Sequence, residues 1–136
     1  MGQEDYVLKQ IEILGKILGK ILADLFAMTS KGEVIELETV VQVFKKELDL
    51  DLHQLVELPN EALFKLLMED KKMDLPSIEK IGEICYLLGL DLYHRQDDYF
   101  RAYLKVAQKI LEQLNLLDKT YSLDRITKIE KIKTLV

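Results

Sequence analysis

Two short stretches gather the residue types that catalysis and metal binding use. The first is Gly89-Leu90-Asp91-Leu92-Tyr93-His94-Arg95-Gln96-Asp97-Asp98-Tyr99-Phe100-Arg101-Ala102. In it His94 could act as a general base, Asp97 or Asp98 could orient the imidazole, and Arg95 or Arg101 could hold an anion. The second is Asp49-Leu50-Asp51-Leu52-His53, with two carboxylates and the other histidine. Calcium loops need more oxygen ligands around a central Gly, and zinc sites prefer Cys and His at helical or knuckle spacing. Neither pattern is met. The chain also lacks a Ser or Cys nucleophile with a matching partner, a Gly-rich phosphate loop, and a His-x-x-x-His or Glu-x-x-His pair.

A simpler chemistry accounts for both stretches. An Asp ahead of a helix accepts the free amide hydrogens of the first turn and opposes the helix dipole. A His near the end of the preceding helix is favourable at that negative end. We therefore read the first stretch as the turn between two packed helices. The second reads as a solvated turn with its Leu residues packed inward. A small enzyme using His94 with Asp97 or Asp98 is the less favoured alternative, and no cofactor or metal is expected.

Cys85 lies on an apolar stripe between Ile81 and Leu88, with Gly82 and Gly89 nearby. Nothing basic is placed to lower its pKa, so a buried structural thiol is expected. The small residues allow close helix approach, with Ala102 as the expected partner. Tyr86, Tyr93, Tyr99 and Tyr103 put four of the six tyrosines in one segment. With Arg101 they form a candidate partner-binding surface, because a ring with a polar tip suits an interface. The other reading keeps the rings in the core with hydroxyls at the rim.

The elements that would carry these residues are helices. Val7, Ile11, Leu14, Leu18, Ile21, Leu25 and Met28 alternate spacings of four and three, which predicts a helix over residues 5–28. Gly15 and Gly19 sit on the border of that stripe. Each costs about 1 kcal/mol relative to Ala, which suggests a helix crossing nearby. Thr29-Ser30-Lys31-Gly32 breaks the helix. Val34, Leu37, Val41, Phe44 and Leu48 again repeat at helical spacing, with a strand as the competing reading. Asp51 can cap a short helix that Pro59 stops, and Asn60 can cap the next, with Leu63, Phe64 and Leu67 inward. Asp74 and Pro76 start a hairpin whose stripes are Ile78, Ile81, Cys85, Leu88 and Leu92, then Phe100, Tyr103, Ala107, Ile110 and Leu114. Ser122 caps a last helix. The fold class is all-α, built of antiparallel helical hairpins as one domain. Residues 1–30 form a long amphipathic helix, 31–72 short helices, 74–116 the hairpin, and 119–136 a capping helix.

The totals agree. A chain of 136 residues suits one domain and buries about two-thirds of its unfolded surface. With six Gly and two Pro there is little punctuation, which favours long helices. One cysteine rules out an internal disulfide and favours a reducing compartment, so a cytoplasmic location is expected. No apolar run is long enough for a membrane span, and the lysines at residues 16 and 20 argue against a signal peptide. Net charge is −5. Phosphate binding needs clustered cations, so nucleic acid is not an expected partner. Residues 31–75 carry six Lys against eleven acidic groups, while residues 119–136 carry five basic against two acidic groups. The basic tail is expected to dock on the acidic segment 31–75; contact of Arg125, Lys128, Lys131 and Lys133 with an anionic membrane or nucleic acid is the alternative.

Residues 78–114 resemble a single tetratricopeptide-repeat helix pair. Tyr93 and Ala102 stand nine apart as in that pattern, and Tyr86 takes the place of the early aromatic. Leu90 falls where the family has a small residue, which is a departure. The resemblance implies a groove beside Gly89 and Ala102 that takes a peptide. A lone repeat needs other helices to cap its faces. The whole chain resembles a family of small bacterial helical proteins of Bacteroidetes type. That likeness rests on Gln3-Glu4-Asp5-Tyr6-Val7-Leu8-Lys9-Gln10-Ile11-Glu12, Leu58-Pro59-Asn60-Glu61 and Lys119-Thr120-Tyr121-Ser122. It implies a cytoplasmic helical protein and supplies no activity. Together these readings predict a non-catalytic module that meets a protein or peptide. A homodimer through the stripe from Val7 to Met28 is the alternative, since that stripe could serve as core or as interface.

Overall fold

The computed structural model describes residues 3–119 and 122–136, and among these every regular element is helical. Helix α1 spans Gln3–Ser30. It is followed by α2 (Leu37–Leu48), α3 (Leu52–Leu55) and α4 (Asn60–Phe64), which continues as a wider π turn over Lys65–Asp70. The hairpin is α5 (Leu75–His94) and α6 (Phe100–Asp118), and α7 covers Leu123–Leu135. Thr120 and Tyr121, quoted above for the family resemblance, lie outside the described residues.

Helix starts follow the expected chemistry. Asp51 accepts the amides of His53 and Gln54 at 3.1 and 3.4 Å. Asp74 accepts the Ser77 amide at 3.1 Å with Pro76 in the first turn, and Ser122 accepts that of Arg125 at 3.2 Å. Asn60 is the first helical residue of α4 rather than its cap, because Pro59 already holds the extended cap conformation. Several stops differ from expectation. Asp49, Lys72, Gln96 and Lys119 hold the left-handed conformation usually left to glycine. At Gln96 this lets the Asp97 amide reach back to the Leu92 carbonyl at 2.9 Å.

α5 is the central element. A β-carbon built on Gly82 would stand 2.8 Å from Ile110 Cγ2, and one on Gly89 only 2.5 Å from Leu104 Cδ2. α6 therefore runs antiparallel to α5 at a distance only glycine permits. Ile110 and Leu104 meet the small stripe, whereas Ala102 is half-buried beside it. Gly89 is sealed under Leu104.

α1 runs alongside α5 in the same direction, with Gly15 over Ser77 and Gly19 over Lys80. Leu18 and Leu25 are buried, so the middle of the N-terminal stripe is core. Residues 4–10 are all exposed, so its beginning is not. β-carbons on Gly15 and Gly19 would stand 3.8 Å from their nearest neighbours, an ordinary contact. The fold itself does not require these two glycines. α2 buries Val41, Phe44 and Leu48 as expected. Val34 stays exposed and Ile35 goes inward in its place.

Gly89→Ala is expected to lower stability by about 1–3 kcal/mol, because Leu104 backbone and side chain both stand in the way. Gln96→Gly is expected to raise it by about 1 kcal/mol, by relieving the left-handed strain. Urea unfolding of both variants checks the pair.

Candidate functional site

The turn after α5 uses its polar groups on itself. His94 closes α5, is exposed, and sets its ring edge-on to Tyr93 at 5.7 Å. Asp97 accepts the Tyr99 amide at 2.9 Å, and Asp98 reaches Arg101 at 3.9 Å. The imidazole and the two carboxylates are not brought to one point. Arg95 instead turns inward. Its Nη2 lies 2.8 Å from Asp91 Oδ2 and donates to the Ile35 carbonyl at 3.1 Å. Asp91 Oδ1 accepts the Ile35 amide at 3.4 Å. This i,i+4 pair clamps both backbone groups of Ile35, which carries the chain from α1 to α2. The Asp91–Arg95 contact is ionic without hydrogen-bond geometry, and it neutralises a carboxylate oxygen otherwise cut off from partners.

The tyrosines separate. Tyr103 is fully buried, so it cannot meet a partner; its place on the inward stripe of α6 takes it into the core. Tyr93 and Tyr99 are each a little over one-third exposed, and Tyr86 is half-buried. Arg101 lies over the Phe100 ring at 4.7 Å. Tyr99 and Tyr103 converge on a residue that the sequence placed in a different turn. His53 Nδ1 is 3.2 Å from the Tyr103 hydroxyl, and Nε2 is 2.9 Å from Glu38 Oε1. Glu38 only accepts, so Nε2 carries the hydrogen, and with the ring neutral the phenol donates to Nδ1. Tyr99 stands edge-on to His53 at 5.5 Å and donates to Glu57 at 3.3 Å. Burial pushes the Tyr103 phenol well above its ordinary range; burial and then the Glu57 charge raise Tyr99. The parts resemble an acid–base relay, yet the phenol is sealed from any substrate. The relay ties α2, α3 and α6 together. Its members lie far apart in the chain, and only the Tyr103 position on an inward stripe hinted at it.

The basic tail docks elsewhere than expected. Arg125 donates through Nε and Nη2 to both oxygens of Glu79 at 2.8 Å each. It also pairs with Asp118 at 2.8 Å and donates to Asn115 at 3.2 Å. Lys128 meets Asp124 at 2.8 Å and Glu83 at 3.6 Å. α7 thus lies on α5 and α6 rather than on residues 31–75, because those helices present carboxylates beside an apolar seat for Ile129 and Ile132. The Arg125 side chain is 8% exposed. Its hydrogen bonds to Glu79 raise its already high pKa. Cys85 is fully enclosed, and burial pushes its thiol up to about 12, which leaves it unreactive.

Open apolar surface flanks α1 on both sides. Between α1 and α2 lies a groove of about 510 Å³ lined by Ile17, Ile21, Met28, Val40 and Val43, among others. Between α1, α5 and α7 lies one of about 480 Å³. Gly19, Leu22, Ala23 and Phe26 form one wall of it; Lys80, Glu83, Tyr86 and Leu87 form the other, and Lys128 closes an edge. Phe26 stands 64% exposed on the lip. Burial raises the pKa of Glu83, against the smaller opposing effect of Lys128.

Among the described residues there is no cluster of three or more His, Cys, Asp or Glu placed to hold a metal ion. No helix among them is long and apolar enough to cross a membrane. Comparison of the chain with protein-family models, with curated proteins and with solved structures finds no match.

Arg125→Met strands three partners and is expected to cost about 3–5 kcal/mol in urea unfolding. Tyr103→Phe removes one hydrogen bond and is expected to cost about 1 kcal/mol. Glu83 binds its proton more tightly folded than unfolded, so its burial costs stability at neutral pH and the cost is relieved as pH falls through the raised pKa. Stability measured against pH should therefore fall less steeply toward acid in the native chain than in Glu83→Gln.

Proposed function

We propose that this chain is a non-catalytic protein-interaction module and that α1 is its recognition element. One observation carries the reading: α1 keeps open apolar surface on both sides although its middle is core. Its first turns add exposed Tyr6, Val7, Leu8 and Ile13. Exposed apolar surface of this extent marks an interaction site more often than a bare monomer surface. The acidic balance disfavours nucleic acid, and the enclosed thiol of Cys85 suits a reducing, cytoplasmic setting. The tyrosine hairpin contributes less than its composition suggested, since Tyr103 is enclosed and Tyr86 belongs to the wall of the α1 groove.

A photo-crosslinking residue placed at Phe26 tests this in cells, with the exposed Lys131 position as control. Discrete protein adducts from position 26 and none from 131 are expected. Absence of any protein adduct at 26 would sink the reading.

A further inference from the structure

One face of α1 reads the same in both directions. Tyr6, Gln10, Ile13, Ile17, Ile21, Asp24 and Met28 follow at spacings of four, three, four, four, three and four, so they lie on one side of the helix. Their order is symmetric about Ile17. Ile13 and Ile21 stand four residues from it, Gln10 and Asp24 seven, and Tyr6 and Met28 eleven. Two copies of this face laid antiparallel set Ile17 on Ile17, Ile13 on Ile21 and Tyr6 on Met28. Gln10 then brings an amide to the Asp24 carboxylate. A two-fold contact between identical helices needs this kind of self-complementary order.

The fold leaves both halves of the face open, for different reasons. Gly15 lies over Ser77, two residues after α5 begins, so α1 ahead of about residue 13 runs past its neighbour. Tyr6 is 66% exposed and Ile13 43% on this arm. The other half borders the groove with α2, in which Ile17 is the α1 residue nearest the N-terminus. Ile21 and Met28 are half-buried on its wall, across from Val43 of α2. In the antiparallel pair the arm of each copy fills the groove of the other. Lys20 and Asp24 neutralise each other at 3.1 Å, which leaves Glu47, exposed on α2, as the remaining charge of the groove. The overlap from Tyr6 to Met28 is roughly 33 Å long and, with α2 alongside, roughly 20 Å wide. It covers on the order of 700 Å² per copy, close to the ~800 Å² per partner of a stable complex.

We infer that this chain pairs with a second copy through an antiparallel contact of α1, centred on Ile17 and flanked by α2. The contact differs from one through Leu18 and Leu25, which the chain's own core takes. It goes beyond the interaction role proposed above. Phe26 lies nine residues from Ile17, about two and a half turns, and so on the opposite side of α1. The adduct test at Phe26 and the tests of this contact therefore succeed or fail separately.

Light scattering of the full chain is expected to give twice the mass of one copy. Ile17→Cys treated with diamide is expected to form a disulfide-linked dimer, since helix axes about 8–10 Å apart bring facing α-carbons within disulfide reach. Cys85 is fully buried and does not compete. Phe26→Cys should not link. A mixture of Tyr6→Cys and Met28→Cys should link where neither does alone, which reads the register. Tyr6→Glu/Ile13→Glu changes only side chains that are exposed in the single copy. It should raise the dimer dissociation constant at least about tenfold with helix content unchanged. A monomer at the highest soluble concentration overturns the inference. So does a dimer that the double Glu variant leaves intact, or one that links through position 26 and not 17. A monomer whose Phe26 position still gives adducts removes the second copy and leaves the interaction role of α1 standing.

Discussion

The contact of α5 with α6 at Gly82 and Gly89 sets the rest of the structure. There Ile110 and Leu104 sit where side chains would otherwise stand, so the two helices close to a distance that excludes any groove between them. That closeness makes α5 an element with partners on several sides. Its buried residues run from Ile84 and Ser77 at one border of the stripe to Gly82 and Gly89 at the other, nearly half the circumference of the helix. α1 lies along one flank and α7 along another, each in the direction of α5, while α6 runs antiparallel to α5. Surface of α1 that α5 does not reach is left open.

Peripheral elements are fixed by polar contacts as well as by the few side chains each buries. α7 offers Ile129 and Ile132 to the core, and the fork of Arg125 on Glu79, Asp118 and Asn115 supplies its register. The linker into α2 is held by Asp91 and Arg95 at the backbone of Ile35. The four-residue α3 is held by His53 between Glu38 and Tyr103. In each case a group with fixed geometry at the edge of the core specifies a position that burial alone would leave loose. Net stabilisation from such contacts is modest, because desolvation opposes the attraction. Their effect is on which arrangement forms.

Helical periodicity made the long elements legible. The stripes through Leu18 and Leu25, Ile81 and Leu88, and Tyr103 and Ile110 are all core, and Asp51, Asp74 and Ser122 cap as their types dictate. What was not legible depends on separation along the chain. His53 meets Glu38 and Tyr103 only after three elements have packed. Arg125 chooses Glu79 over the more numerous acids of residues 31–75 because geometry, not total charge, decides a paired guanidinium. Tyr103 and Tyr99 look alike in sequence, yet one phenol is sealed within α6 and the other, ahead of the first turn of α6, stays partly exposed and faces Glu57. The groove on α1 was half visible. Gly15 and Gly19 announced an unusual surface, but their pattern could not say whether the chain itself used it.

The two pairs of glycines carry opposite meanings, and the contrast bears on function. Gly82 and Gly89 are dictated by the fold: a β-carbon at either would collide with α6. Gly15 and Gly19 have room for one, and each lowers the helix propensity of α1 by about 1 kcal/mol relative to Ala. A chain of this size has only several kcal/mol of net stability, so two such costs on one helix are a sizeable fraction of it. Folding gives no return for them. Gly19 lines the groove beside Lys80, with Phe26 exposed on its lip. Stability given up at a surface that the fold leaves open accords with the interaction role proposed for α1, since an alanine at either position would steady the helix without a clash.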